Sequence, residues 1–104
     1  MKLEHYSLPR LEHELAAIVW KYIDRKTHKL YFFGSRVTGS SSERSDIDVG
    51  IEGQEAVSAN LMAKIRDEVA ALQTLYNIDI VDMRVASPSF RHVAKKQIEL
   101  ISHE

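Results

Sequence analysis

Cysteine is absent from the 104 residues. The chain therefore has no disulfide framework, no thiol nucleophile and no cysteine metal site, and a reducing cytoplasm is the expected setting. Long apolar stretches are missing as well. The run Leu15-Ala16-Ala17-Ile18-Val19 falls far short of the roughly 20 residues that a spanning helix needs, so no membrane segment is expected. The first residues, Met1-Lys2-Leu3-Glu4-His5-Tyr6, lack the apolar stretch and small-residue cleavage site of a signal peptide. A basic excess is missing too: the formal net charge is −1, which gives no indication of a general nucleic-acid-binding surface. There is no internal repeat and no linker, and the length suits one domain over residues 1–104.

What charge there is lies unevenly. Residues 31–83 hold four Lys/Arg against nine Asp/Glu, whereas both flanking segments are net basic. A solvated acidic helix face would account for this, and so would a bound cation.

Hydrophobic spacing lays out the elements. Ser7 and Pro9 suit a helix start. Leu8, Leu11, Leu15, Ile18, Val19, Tyr22 and Ile23 then recur at three- and four-residue intervals, predicting an amphipathic helix that ends near Arg25-Lys26. Leu30-Tyr31-Phe32-Phe33 reads as a short strand stopped by Gly34. Gly39-Ser40-Ser41-Ser42 reads as a loop. Asp46-Ile47-Asp48-Val49-Gly50-Ile51 reads as a half-buried strand closed by Gly53. From Glu55 to Tyr76 the positions Val57, Leu61, Ile65, Val69, Leu72 and Leu75 predict a second long helix. Ile78 to Met83 is a third strand. Ser87-Pro88 opens a last helix, with Phe90, Val93, Ile98 and Ile101 as expected core contacts. The expectation is an α/β fold, with helices covering a small sheet of at least three strands.

Chemistry concentrates between the first two strands. Gly34 lets the backbone approach a ligand closely. A helical turn starting at Ser35 would present free N–H groups to an anion, and Arg36 and Arg44 could add charge-assisted bonds to phosphate oxygens. Asp46 and Asp48, two apart on a strand, project from the same face. Two carboxylates so placed repel each other unless one is protonated or a cation lies between them. Mg²⁺ favours one or two carboxylates together with substrate phosphates. Gly34 and Gly39 have the spacing of a P-loop, but Ser40 stands where that motif requires lysine. No G-x-G-x-x-G is present.

Gly34-Ser35, ten residues, then Asp46-Ile47-Asp48 resembles the GS-x10-D-x-D signature of the DNA polymerase β-like nucleotidyltransferases. With Arg36, Gly39 and Ser45-Asp46-Ile47-Asp48-Val49, the segment is most similar to the minimal nucleotidyltransferases, the MNT group. The resemblance implies a polymerase β-like nucleotidyltransferase core with a mixed sheet. It implies two Mg²⁺ ions held by Asp46, Asp48 and a third carboxylate, and ATP phosphates held by Gly34, Ser35 and Arg36. The third carboxylate is expected at Asp79, which lies within the strand between Ile78 and Ile80. Asp82, facing the opposite way, is the alternative and suits a loop cap. The resemblance further implies transfer of a nucleoside monophosphate, AMP from ATP, to a hydroxyl. The expected acceptor is a tyrosine of a HEPN-domain toxin, with this chain as the antitoxin. The rival readings are an antitoxin that acts by contact alone and an aminoglycoside-type, small-molecule nucleotidyltransferase. The oligomeric state stays open, a homo-oligomer included.

The remaining residues read more simply. His5, His13, His28, His92 and His103 show no paired ligand spacing and are expected at ordinary surface or helix positions. Trp20, Tyr22, Tyr31, Phe32 and Phe33 are expected to pack. Ser40, Ser41 and Ser42 are expected to form a loop rather than nucleophiles. Arg91, Lys95 and Lys96 suit a solvated helix face.

Overall fold

The computed structural model describes residues 1–39 and 45–101. The expectations for Ser40, Ser41, Ser42, Arg44 and His103 lie outside the described residues. Helix α1, Leu8–Tyr22, starts as its sequence requires: the Ser7 side chain accepts the N–H of Arg10, and proline occupies the first turn. The other elements are β1 (His28–Phe33), the single turn α2 (Ser35–Thr38), β2 (Ile47–Gly53), α3 (Ala59–Ala70), β3 (Ile78–Asp82), α4 (Pro88–Ala94) and β4 (Glu99–Leu100).

The strands form one mixed sheet in the order β3-β2-β1-β4. β1 runs antiparallel to both β2 and β4, and β2 and β3 are parallel, joined by the α3 crossover. Strand alternation divides the side chains between two faces. Leu30, Phe32, Ile47, Val49, Ile51 and Ile80 pack against Leu11, Leu15 and Val19 of α1 and Met62, Ile65 and Val69 of α3. Tyr31, Phe33 and Met83 form a smaller cluster on the other face, with Ala94 of α4 and Ile98 against it.

Four expectations change. α1 ends at Tyr22, short of Arg25-Lys26, because Ile23 leaves the helix in an extended conformation. The second long helix is shorter, because Ser58 caps α3 through the N–H of Leu61 and Ala71 closes it; Leu75 lies beyond the helix, almost fully exposed. The last helix also stops early, at Ala94. The chain after it forms β4, where the N–H of Ile101 donates to the Leu30 carbonyl at 2.9 Å. Phe90 and Val93 are consequently not core: α4 buries none of its residues. Among the described residues no helix is long and apolar enough to cross a membrane.

Asp82 lies on the helix-covered face and is buried. Its Oδ2 accepts the N–H of Val57 at 2.7 Å and its Oδ1 the N–H of Arg84 at 3.0 Å. The carboxylate thus ties the segment before α3 to the turn after β3. Asp82→Ala leaves both N–H groups without their acceptor, at about 1–3 kcal/mol for each that stays dry. Calorimetry should show a melting temperature lower by on the order of 10–20 °C. A shift of only a degree or two would mean that water replaces the carboxylate.

Candidate functional site

Strand pairing builds the site at one end of the sheet. β1 ends at Phe33, and Gly34 turns the chain into α2 with φ 83° and ψ −163°. That conformation is open essentially to glycine alone. Glycine is needed there a second time: a Cβ at position 34 would collide with the Asp48 carboxylate. The turn and the carboxylate are therefore packed backbone to side chain. Gly39, in the left-handed region, closes α2 after one turn, and its N–H bonds the Ser35 carbonyl at 3.0 Å. The N–H groups at the start of such a turn have no partner within it.

Asp48 is the centre of a row. In the antiparallel ladder it stands opposite Phe33, and in the parallel ladder opposite Asp79. Asp48 is partly buried, whereas Asp79 and Asp46 are exposed. Burial, then the negative charge of Asp79, then that of Asp46, push the Asp48 carboxyl above its ordinary range. Asp46, just ahead of β2, is thus within electrostatic reach of the pair. Asp82 takes no part; it points into the other face.

Among the described residues no three His, Cys, Asp or Glu side chains form a ready-made metal cluster. Asp48 and Asp79, with Asp46 beside them, could instead share an ion that draws its other ligands from phosphate and water, the habit of Mg²⁺. Two features of the chain fit such an ion: the half-buried Asp48 carboxylate, raised by burial and then by the charges of Asp79 and Asp46, and the Gly34 backbone packed directly against that carboxylate.

Arg36, expected to hold phosphate, also has partners within the chain. It is buried, its Nε donates to the Ser45 carbonyl at 2.8 Å, and its guanidinium lies 4.7 Å from the centre of the Tyr76 ring. These contacts hold the segment that leads into Asp46. Nothing local to residue 36 signals the Tyr76 partner forty residues on. A second unforeseen network lies along the same strand face. Tyr31 donates to Glu52 Oε1 at 2.7 Å, and Lys95 Nζ bonds Glu52 Oε2 at 2.7 Å. Burial and that bond hold the Tyr31 phenol well above its usual range. Burial opposes ionisation of Glu52, but the bonds from Lys95 and Tyr31 outweigh it and keep the carboxyl below its ordinary range. Gly50 lies under the Tyr31 ring, where a Cβ would come within 2.7 Å of Cε1; glycine inside a strand is the sequence signal for such a close approach. Lys95 is therefore committed, not merely solvated. His28 bonds Thr27 and the Glu55 carbonyl, away from the carboxylates.

The raised Asp48 carboxyl has a consequence for stability. Between its ordinary and its raised value, the folded chain keeps a proton that the unfolded chain releases. Stability therefore falls as pH rises through that window, and the loss persists at neutral pH. Asp48→Asn removes it. With chelator at pH 7 the variant should melt higher by roughly 4–8 °C, for about 1 kcal/mol of relieved repulsion. Below the ordinary carboxylate range the difference should vanish. Added Mg²⁺ should raise the wild type's melting temperature far more than the variant's. A variant that melts lower and responds to Mg²⁺ like the wild type would make Asp48 a structural residue.

A mixed sheet of this order, with a glycine-serine turn against a strand-borne aspartate pair, defines a nucleotidyltransferase core. The pattern described as "Polymerase beta, Nucleotidyltransferase" matches residues 14–104, and the chain belongs to that family. It is 23% identical over 77 residues to a probable protein adenylyltransferase MntA of Haemophilus influenzae, covering 74% of this chain and 68% of the relative. The fold is that of a toxin–antitoxin crystal structure with AMP-PNP, at a TM-score of 0.70 and 22% identity, over 89% of this chain and 73% of that one. It is also that of a complex of a tri-AMPylated Shewanella oneidensis HEPN toxin with an MNT antitoxin. There the TM-score is 0.67 and the identity 19%, over 91% of this chain and 71% of that one.

Proposed function

We propose that the chain is a Mg²⁺-dependent protein adenylyltransferase. It moves AMP from ATP to a tyrosine of a HEPN-domain toxin and so acts as the antitoxin. The observation that carries this reading is the in-register Asp48–Asp79 pair with the Gly34–Ser35 turn packed against it. The MntA likeness and the two toxin–antitoxin folds support the choice of nucleotide and partner.

Gly34 and Ser35 receive the β- and γ-phosphates, because a turn without a Cβ brings backbone N–H groups close to phosphate oxygens. Asp46 and Asp48 hold the metal-bound triphosphate on the strand face, and Asp79 completes the carboxylate set from the sheet edge. Mg²⁺ held by these carboxylates would supply charge neutralisation for the phosphates and the pyrophosphate leaving group. Asp79 lies on the edge strand and is exposed, so an incoming hydroxyl reaches it from solvent. The hydroxyl gives its proton to the Asp79 carboxylate or to solvent water, its oxygen bonds the α-phosphorus, and the bond to the pyrophosphate breaks, so that pyrophosphate leaves with its electron pair. Arg36 acts at one remove by fixing the segment before Asp46.

The test combines the protein with its HEPN partner, Mg²⁺ and radiolabelled ATP, followed by mass spectrometry of the partner. AMP on a partner tyrosine is expected. An unmodified partner that is nevertheless neutralised would favour inhibition by contact alone.

A further inference from the structure

The face of the sheet that carries Asp48 is only half covered. Phe33, Asp48 and Asp79 form a cross-strand row, in which neighbouring side chains stand on one face about 4.5–5.5 Å apart at Cβ. α4 covers the β1 end of this face and leaves the carboxylate end open. Its Ala94 packs into the Tyr31–Phe33–Met83 cluster, and the Phe90 ring meets Phe33 edge-on, with centroids 6.0 Å apart and planes at 89°. Phe90 thus extends the row of Phe33, Asp48 and Asp79. Yet it is 45% exposed. The ring is steadied on one side by Phe33 and exposed on the other, and Phe33 in turn stands opposite Asp48 in the strand ladder.

We propose that Phe90 is the platform on which the base of the bound nucleoside triphosphate stacks. The inference rests on the reading that the triphosphate occupies Asp48, Asp79 and the Gly34–Ser35 turn. Carboxylates, metal and backbone N–H groups recognise phosphate alone and cannot tell a nucleotide from tripolyphosphate. A fixed aromatic face one residue along the row, on Phe33, supplies affinity for the base. Stacking is tolerant of base identity, so Phe90 makes the site a nucleotide site without choosing among purines.

Calorimetric titration with Mg²⁺ tests this, using AMP-PNP and tripolyphosphate as ligands. Phe90→Ala should bind AMP-PNP about tenfold more weakly and tripolyphosphate as well as the wild type does. Phe90→Trp should restore AMP-PNP binding. Phe90→Leu keeps an apolar contact with Phe33 but has no aromatic face, so it should behave like Phe90→Ala while melting close to the wild type. Unchanged AMP-PNP affinity in Phe90→Ala would overturn the proposal. Equal weakening toward both ligands would also overturn it, by showing that Phe90 only props up the phosphate turn. Unchanged AMP-PNP affinity with a raised KM for the acceptor protein would assign the ring to the acceptor instead. A wild type that binds neither ligand would defeat the triphosphate reading itself, a different result from loss of base recognition alone.

Discussion

Asp48→Ala and Asp79→Ala are each expected to lower AMP transfer by about 10³-fold or more. Each removes a carboxylate that the proposed function assigns to holding metal-bound phosphate, and metal stabilisation of reacting charge is worth several kcal/mol. Both variants should fold, because neither side chain is buried in the core. Asp82→Ala is the informative contrast. It should lose stability and, at a temperature where it is folded, keep most of its transfer rate. Initial rates of label incorporation, paired with melting curves, separate the two behaviours. Full activity in Asp79→Ala with none in folded Asp82→Ala would reverse the assignment of the third carboxylate.

Gly34→Ala should be the most damaging single methyl group in the protein. The backbone at this position costs a non-glycine residue on the order of 1–3 kcal/mol, and the added Cβ is driven into the Asp48 carboxylate. Either the turn or the carboxylate must shift, so nucleotide binding should be lost even in protein that stays folded. Gly39→Ala provides the control. Gly39 also has a positive φ, of 85°, but nothing lies within 4 Å of a Cβ built there. It should cost about 1–2 kcal/mol of left-handed strain and leave nucleotide affinity near that of the wild type. Comparable affinity losses in the two variants would mean that strain, and not the packing of Gly34 on Asp48, governs the site.

Much of this arrangement is legible from residue order, for identifiable reasons. Period-two alternation puts Asp46 and Asp48 on one face and separates Asp79 from Asp82, and the parallel ladder then sets Asp79 beside Asp48. Ser7 with Pro9 and Ser87 with Pro88 mark helix starts because capping is local chemistry. What escapes is settled by distant partners. Ile98 and Ile101 suit a helical spacing, but the free edge of β1 draws their segment into β4. Leu75 continues the apolar rhythm of α3 after the helix has ended. The contacts of Arg36 with the Tyr76 ring and the Ser45 carbonyl are likewise not announced by its neighbours in the chain. Asp82 reads correctly as a cap, yet one of its two donors, Val57, lies 25 residues away.

The parallel pairing of β2 with β3 also sets an order of events in folding. Gly34 and Asp48 meet through the antiparallel β1–β2 ladder, a pairing of segments close in the chain. Asp79 arrives only after α3 has crossed over and closed a longer loop, whose entropy must be overcome before its contacts form. A chain caught with the first ladder made and the crossover unmade holds the glycine turn and one carboxylate, but no pair. On the proposed function, the capacity to grip a metal-bound triphosphate therefore follows the crossover, and nucleotide added during refolding should leave the β1–β2 step unchanged while stabilising the product of the crossover.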